Sequence, residues 1–135
     1  MAGNQVVARY RDGRVVKGIT NDFLPAREVF HVVTPGEPGA PTAPVTVRFD
    51  ELKALFFVRD LSGDPAHRAV NDFEQGHAAP GRKIRIVFED GEVMAGTTQG
   101  YSADRVGFFV IPVDDEGNNE RVFVLATAAR EVELL

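Results

Sequence analysis

The chain has 135 residues, of which 44% are hydrophobic and 26% charged, a composition that fits one globular domain or two very small ones. It contains no Cys, which excludes disulfides, zinc–thiolate sites and thiol nucleophiles. The net charge is −5, and an acidic chain is a poor candidate for a dedicated binder of the nucleic-acid backbone. Phe is overused, with ten residues against two Tyr and no Trp, so we expect a core rich in phenylalanine.

The first predicted elements form a β-hairpin. Residues 6–10 and 14–20 are rich in β-branched side chains and flank Asp12-Gly13. Such a turn is a strong hairpin signal, because Gly takes a positive φ without steric cost. Residues 35–44 hold four Pro and two Gly, which predicts an exposed loop. Further strands and a tight helical turn are predicted around this loop: strands over 29–34, 45–49 and 54–58, and the turn over 50–53.

A polar segment separates these elements from a second set. Asp64 followed by Pro65 is typical of a helix start, so we predict a short helix over residues 65–73 and a linker over 76–81. The second set follows in the same order as the first: strands over 84–88, 93–98 and 108–111, a turn at Asp90-Gly91 and a loop over 114–120.

The two sets match as an internal duplication. Asp12 and Gly13 align without gaps with Asp90 and Gly91, 78 residues later. After the variable loop we expect an offset of two residues less, which gives these matches: Val47 with Phe123, Phe49 with Leu125, Leu52 with Ala128, Phe56 with Val132 and Val58 with Leu134. The sequence therefore predicts three parts: a first copy over residues 1–59, a linker with the short helix over 60–82 and a second copy over 83–135.

Two pairs of adjacent phenylalanines predict that the copies depend on each other. Phe56-Phe57 lies on a predicted strand of the first copy and Phe108-Phe109 on one of the second. Successive residues of a strand point to opposite faces, so one Phe of each pair has to leave the core of its own copy. We expect that side chain to be buried against the other copy or a second subunit.

Each copy resembles an SH3-like or Sm-like small β-barrel. Five short strands, a tight first hairpin, a Gly on the second strand and a one-turn helix before the last strand carry the resemblance. It implies an all-β fold of two tandem five-stranded SH3-like barrels with one short linking helix; one fused pseudo-symmetric sandwich is the alternative. Three segments are also similar to a bacterial domain family of unknown function, a resemblance that implies no activity: Phe56-Phe57-Val58-Arg59-Asp60, Gly107-Phe108-Phe109 and Asn118-Asn119-Glu120-Arg121-Val122-Phe123-Val124.

Two resemblances point to nucleic-acid or nucleotide ligands. An Sm-like barrel implies RNA binding, although residues 50–53 and 126–129 lack the Arg-Gly or Lys-His element that Sm proteins use there. Asp60-Leu61-Ser62-Gly63 is similar to part of the cyclic di-GMP site of PilZ barrels, with the Gly one position early and no Arg pair before it. An Sm-like or PilZ-like binder of RNA or a cyclic dinucleotide is therefore the alternative function.

A cluster of basic residues on the first hairpin is the candidate docking surface. The matching positions of the second copy are neutral or acidic, and residues 1–59 carry a net charge of +2 while residues 60–135 carry −7. One hypothesis is that the cluster docks an acidic partner or the acidic second copy of a neighbouring molecule. The other is that it is a solvated strand face that protects a sheet edge. Its members are Arg9, Arg11, Arg14 and Lys17.

No catalytic, cofactor or metal signature stands out. His31, His67 and His77 lack the spacing of a metal site, and Ser62 and Ser102 lack the context of a catalytic nucleophile. The acidic residues in the 114–120 loop are typical of a solvated hairpin tip. We therefore expect no enzyme, no cofactor and no metal site.

The expected function is a non-enzymatic interaction or regulatory module of the bacterial cytoplasm. No stretch approaches the roughly 18 to 20 apolar residues of a membrane span, and the N-terminus has no signal peptide pattern. The expected partner is a protein, which includes a second copy of this chain, rather than nucleic acid or a membrane.

Overall fold

The structure, a computed structural model, describes residues 3–24, 27–34, 44–59, 81–98, 100–101, 105–113 and 119–134. Its ten strands are β1 (Asn4–Tyr10), β2 (Val15–Thr20), β3 (Val29–Val32), β4 (Val45–Arg48), β5 (Leu52–Val58), β6 (Arg82–Phe88), β7 (Val93–Thr98), β8 (Gly107–Pro112), β9 (Asn119–Leu125) and β10 (Ala129–Leu134). A 3-10 turn precedes the last strand of each copy: Phe49–Glu51 before β5 and Ala126–Ala128 before β10. We call β1–β5 the first copy and β6–β10 the second copy.

The fold is all-β, as predicted, and one sheet runs through both copies. Eight strands pair in the order β10-β6-β7-β8-β9-β5-β1-β2, and β3 pairs with β4 in a second sheet. Ile19 and Val33 exchange two backbone hydrogen bonds, of 3.0 and 2.9 Å, that connect β2 to β3. The described strands form no closed barrel, so two tandem SH3-like barrels stay a prediction. The predicted linking helix over 65–73 lies outside the described residues, as do most of the two long loops.

Both predicted Asp-Gly hairpin turns are confirmed. Gly13 has a φ of 96° and Gly91 a φ of 90°, a conformation that costs little only for Gly. Their amides donate equivalent hydrogen bonds, to the carbonyls of Tyr10 at 3.1 Å and of Phe88 at 2.9 Å. The two hairpins are therefore closed in the same way, which supports the internal duplication.

The strand pairing corrects the alignment of the second halves of the copies. Phe30 lies opposite Val47 in the first copy, and the equivalent Phe108 lies opposite Val124 in the second. Val47 therefore corresponds to Val124 and not to the predicted Phe123, and the other four matches of that offset are wrong by the same single residue. The error arose because Val122, Phe123, Val124 and Leu125 are all buried, so both faces of β9 are apolar and its pattern leaves the register open.

The pairing of β9 with β5 joins the two copies and places their phenylalanines in one cluster. Phe123 lies opposite Leu55, and its ring is 5.2 Å from Phe23 and 5.1 Å from Phe109. Phe57 of the first copy lies 6.0 Å from Phe109 of the second. The rings of this cluster belong to Phe23, Phe30, Phe49, Phe57, Phe109 and Phe123.

The neighbouring phenylalanine of the second copy stays within its own copy. Phe108 packs edge-on against Tyr101 at 4.9 Å, as the equivalent Phe30 packs against Phe23 at 5.2 Å. Phe108 thus packs within its own copy while Phe109 contacts the first copy, as predicted for this pair of adjacent phenylalanines.

Residues 1–59 and 80–135, expressed separately, should each fail to fold stably. The first fragment lacks Phe109 and Phe123, which complete its aromatic cluster, and a chain of this length buries only about 60% of its unfolded surface. Circular dichroism during thermal unfolding measures this, with the intact chain as the control. Two fragments that each unfold cooperatively as monomers would contradict the mutual dependence.

Candidate interaction surfaces

The predicted docking residues lie on one hairpin, but two of their charges are already paired. The guanidinium of Arg11 lies 2.9 Å from the Glu89 carboxylate, which belongs to the second copy. Arg14 contacts Asp12 at 2.8 Å and Glu51 at 3.2 Å. The hairpin therefore contacts the acidic second copy of its own chain. One hypothesis from the sequence was a contact with the second copy of a neighbouring molecule.

The remaining two docking residues are placed differently. Arg9 lies on β1 with its guanidinium 5.3 Å from the centre of the Phe56 ring, and Lys17 is exposed on β2. Since the Arg11–Glu89 and Arg14–Asp12 pairs are exposed to solvent, each contributes little to stability. The four side chains do not form a continuous surface of unpaired positive charge.

A buried lysine anchors the second hairpin turn to the first copy. Lys53 lies on β5 with its side chain 9% exposed, and its Nζ is 2.7 Å from Asp90 and 3.2 Å from Glu92. It also lies 4.7 Å from the centre of the Phe88 ring. The hydrogen bond from Lys53 holds the pKa of Asp90 below its ordinary value of 3.8. Sequence reasoning missed this contact; the one signal was a lysine directly before an otherwise apolar strand.

A pocket of about 640 Å³ lies between the copies, and we call it the inter-copy pocket. The first copy contributes the start of β3 and the first 3-10 turn, and the second copy contributes the equivalent parts of its own fold. The lining residues are Glu28, Val29, Arg48, Phe49, Asp50, Arg105, Val106, Leu125, Ala126 and Thr127. Sequence patterns do not indicate this pocket, because neither copy forms it alone.

The inter-copy pocket combines exposed apolar side chains with charges of both signs. Val29 is 37% exposed and Val106 is 52% exposed, high values for valines at a concave surface. Arg48 is held by Asp50 at 3.0 Å, so these two charges neutralise each other. Arg105 brings a second guanidinium to the opposite wall. Such a site suits a ligand whose apolar group is flanked by polar or charged groups.

Asp22 and His31 form a hydrogen-bonded pair that the sequence did not suggest. Asp22 Oδ2 lies 2.6 Å from His31 Nδ1, while Asp22 Oδ1 accepts hydrogen bonds from the His31 backbone at 2.9 Å and from the Thr20 hydroxyl at 3.2 Å. Partial burial raises the pKa of Asp22, but these hydrogen bonds outweigh it and the net shift is downward. The pair connects the segment after β2 to β3.

Ser62 and Ser102, the serines of the chain, lie outside the described residues.

Metal-binding clusters and membrane-spanning helices are both absent from the part of the chain that the structure describes. Within those residues, no three His, Asp or Glu side chains lie together in a way that could hold a metal ion. The described residues also include no helix that is long and apolar enough to cross a membrane. The acidic residues 114–116 and the stretch similar to a PilZ site lie outside them.

Residues 2–135 match a family of unknown function (DUF6982). The chain belongs to this family. The match agrees with the predicted resemblance to a domain family without a known activity. No curated protein and no solved structure matched the chain.

Asp90→Asn should destabilise the protein at neutral pH and much less in acid. A hydrogen bond to a charged group contributes roughly 1.5–3 kcal/mol, and because the Asp90 side chain is 54% exposed we expect about 0.5–1 kcal/mol. The folded pKa of Asp90 is lowered, so its contribution is present above about pH 4 and is lost as the pH falls through the folded pKa. Urea unfolding of both proteins between pH 7 and pH 3 measures the difference.

Asp12→Asn is the matched control for this experiment. Asp12 holds the equivalent turn and accepts a 3.0 Å hydrogen bond from the Arg14 backbone, as Asp90 does from Glu92 at the same distance. Its side-chain partner, Arg14, is exposed, whereas Lys53 is buried. The control should change stability less; equal effects, or an effect of Asp90→Asn that does not depend on pH, would contradict the role of Lys53.

Proposed function

We propose that this protein is a non-enzymatic interaction module of the cytoplasm that binds a partner protein at the inter-copy pocket. The observation that carries the proposal is the exposure of Val29 and Val106 inside one concave site. Exposed apolar groups gathered in a recess are typical of binding sites, because burying them against a partner is favourable. The occupant is an apolar side chain of a partner segment.

The charges around the inter-copy pocket suit a partner segment in which an acidic residue lies next to the apolar side chain. Arg105 lies at the wall contributed by the second copy, next to Val106. It would face a carboxylate that flanks the apolar anchor of the partner. Charged groups at the rim of an interface contribute chiefly to the choice of partner and the association rate.

The described carboxyl groups with a shifted pKa are suited to ion pairs and turns rather than to general acid catalysis. A general acid at neutral pH needs a raised pKa, as when a carboxyl group is buried without a cation. Among the described residues, the carboxyl groups whose pKa is shifted are all lowered by hydrogen bonds from Arg, Lys, His or backbone groups: Asp12, Asp22, Asp50 and Asp90. These groups stay ionised and serve ion pairs and turns.

The predicted SH3-like architecture of each copy fits this role. Each copy has five strands, a tight first hairpin and a 3-10 turn before its last strand. In this proposal the two barrel-like copies act as one unit, because the pocket needs the β3 end of one and the equivalent β8 end of the other. The alternative function is the binding of RNA or a cyclic dinucleotide, for which the guanidinium of Arg105 would contact a phosphate.

Val106→Lys should weaken partner binding, whereas Val93→Lys should not. Both valines are exposed, at 52% and 39%, but Val93 begins β7 and does not line the pocket. Burial of one such side chain is worth about 1.5–3 kcal/mol, so we expect binding to weaken at least about tenfold. The measurement is quantitative mass spectrometry of proteins retained from cell extract by the immobilised wild type and both variants.

The same pull-down, extended to an Arg105→Glu variant, separates the protein partner from the alternative ligand. Nucleic acid or nucleotide that the wild type retains, and that Arg105→Glu releases with a steep salt dependence, would favour the alternative. Proteins retained equally by the wild type, Val106→Lys and Val93→Lys would overturn the pocket as a binding site. Thermal unfolding of all variants checks that each is folded.

A further inference from the structure

Equivalent strands of the two copies have different surroundings. β5 pairs with β1 on one side and β9 on the other, and all seven of its residues are buried. β10 is the equivalent strand of the second copy, but it pairs with β6 alone among the described strands. None of its six residues is fully buried. The same contrast separates β9, which has two partners, from β4, which among the described strands pairs with β3 alone.

Because β9 is the equivalent of β4 and β5 the equivalent of β10, the contact between the copies predicts a second contact of the same kind. We propose that β4 of one chain pairs antiparallel with β10 of a second copy of this chain. The new pairing would repeat, between chains, what β9 and β5 already do within one chain. It rests on these open sheet edges and does not depend on the inter-copy pocket.

The observed pairing fixes the register of the proposed one. Leu55 lies opposite Phe123. The hydrogen-bonded registers make Val132 the equivalent of Leu55, and Thr46 the equivalent of Phe123. Val132 of one chain therefore lies opposite Thr46 of the next.

The backbone of β4 is oriented for this contact. The Phe49 amide donates to the Glu28 carbonyl at 3.0 Å, on the β3 side, and the equivalent Ala126 amide donates to Val106 at 2.9 Å. Peptide groups alternate in direction along an antiparallel strand, so the Thr46 amide and carbonyl point away from β3, to the open edge. Thr46 therefore occupies the position in β4 that Phe123 occupies in β9, where Phe123 pairs with β5.

The two edges belong to parts of the chain that differ in net charge. β10 exposes Glu131 and Glu133 and leaves Val132 half-buried, and it belongs to the part of the chain with net charge −7. β4 belongs to the part with net charge +2, although Arg48 at its end is paired with Asp50 and would lie opposite Arg130. Head-to-tail contacts bring opposite charges together, whereas contacts between like edges would not. Such a heterologous interface repeats until it closes into a ring or continues as a filament.

Single cysteines test the register directly, because the chain contains no Cys. One protein carries Thr46→Cys and a second carries Val132→Cys; the two are mixed and oxidised. Opposite Cα atoms of a hydrogen-bonded antiparallel pair lie about 5.5 Å apart, which suits a disulfide. We expect a disulfide-linked dimer in the mixture and little in either protein alone. Lys17→Cys, exposed on β2, replaces Val132→Cys in the control mixture.

Each possible result of the cross-linking experiment either supports or overturns the pairing of β4 with β10. A linked dimer in the Thr46→Cys and Val132→Cys mixture that exceeds the control supports the pairing. A mixture that links no more than the control overturns it. One chain that carries both cysteines and forms only an internal disulfide also overturns it, since β4 would then close onto its own β10.

Thr46→Pro tests the same contact without a cross-link. Proline removes the outward amide of Thr46 and leaves the hydrogen bonds between β3 and β4 in place, so the dissociation constant for assembly should rise about tenfold or more. Thr46→Val retains the amide and is the control. Light scattering over a range of protein concentrations measures assembly; a wild type that stays monomeric at every concentration contradicts the proposal while leaving the inter-copy pocket untouched.

Discussion

The pairing of β9 with β5 is the interaction on which the rest of this structure depends. It places Phe109 and Phe123 of the second copy against Phe23 of the first, and it gives β5, whose seven residues are all buried, its second strand partner. Aromatic rings pack favourably edge to face at these distances, and together they bury an area that neither copy could bury alone. The two copies therefore share one core, and the inter-copy pocket exists only because this pairing holds them together.

Equivalent positions of the two copies carry side chains of different chemistry. Lys53, before the apolar run of β5, is buried against Asp90, whereas its equivalent Arg130 is exposed. Phe56 corresponds to Glu133, which is exposed and lies 3.5 Å from Arg85. The strand that is covered within the chain is apolar on both faces, and the uncovered strand carries glutamates. Such charges keep an open edge from random aggregation while still allowing a matched partner to pair.

Electrostatics in this protein mainly joins the copies. The Arg11–Glu89 pair connects equivalent positions of the two hairpins, and Lys53 fixes the neighbouring Asp90. The exposed pair contributes little, because both ions are solvated, whereas Lys53 needs its carboxylates because its own side chain is buried. A surface that looks basic in the sequence is thus partly neutralised by an acidic segment 78 residues away.

The sequence by itself determined the elements whose causes are local. The Asp-Gly turns follow from the conformational freedom of Gly13 and Gly91, and the strands follow from β-branched and aromatic runs. Adjacent phenylalanines even required a contact outside each copy. Only the tertiary structure decided the register of β9, its partner β5 and the pocket between the copies. The physical reason is that β9 is apolar on both faces, so its period of two selects neither a register nor a partner, and contacts between residues far apart in the chain make that choice.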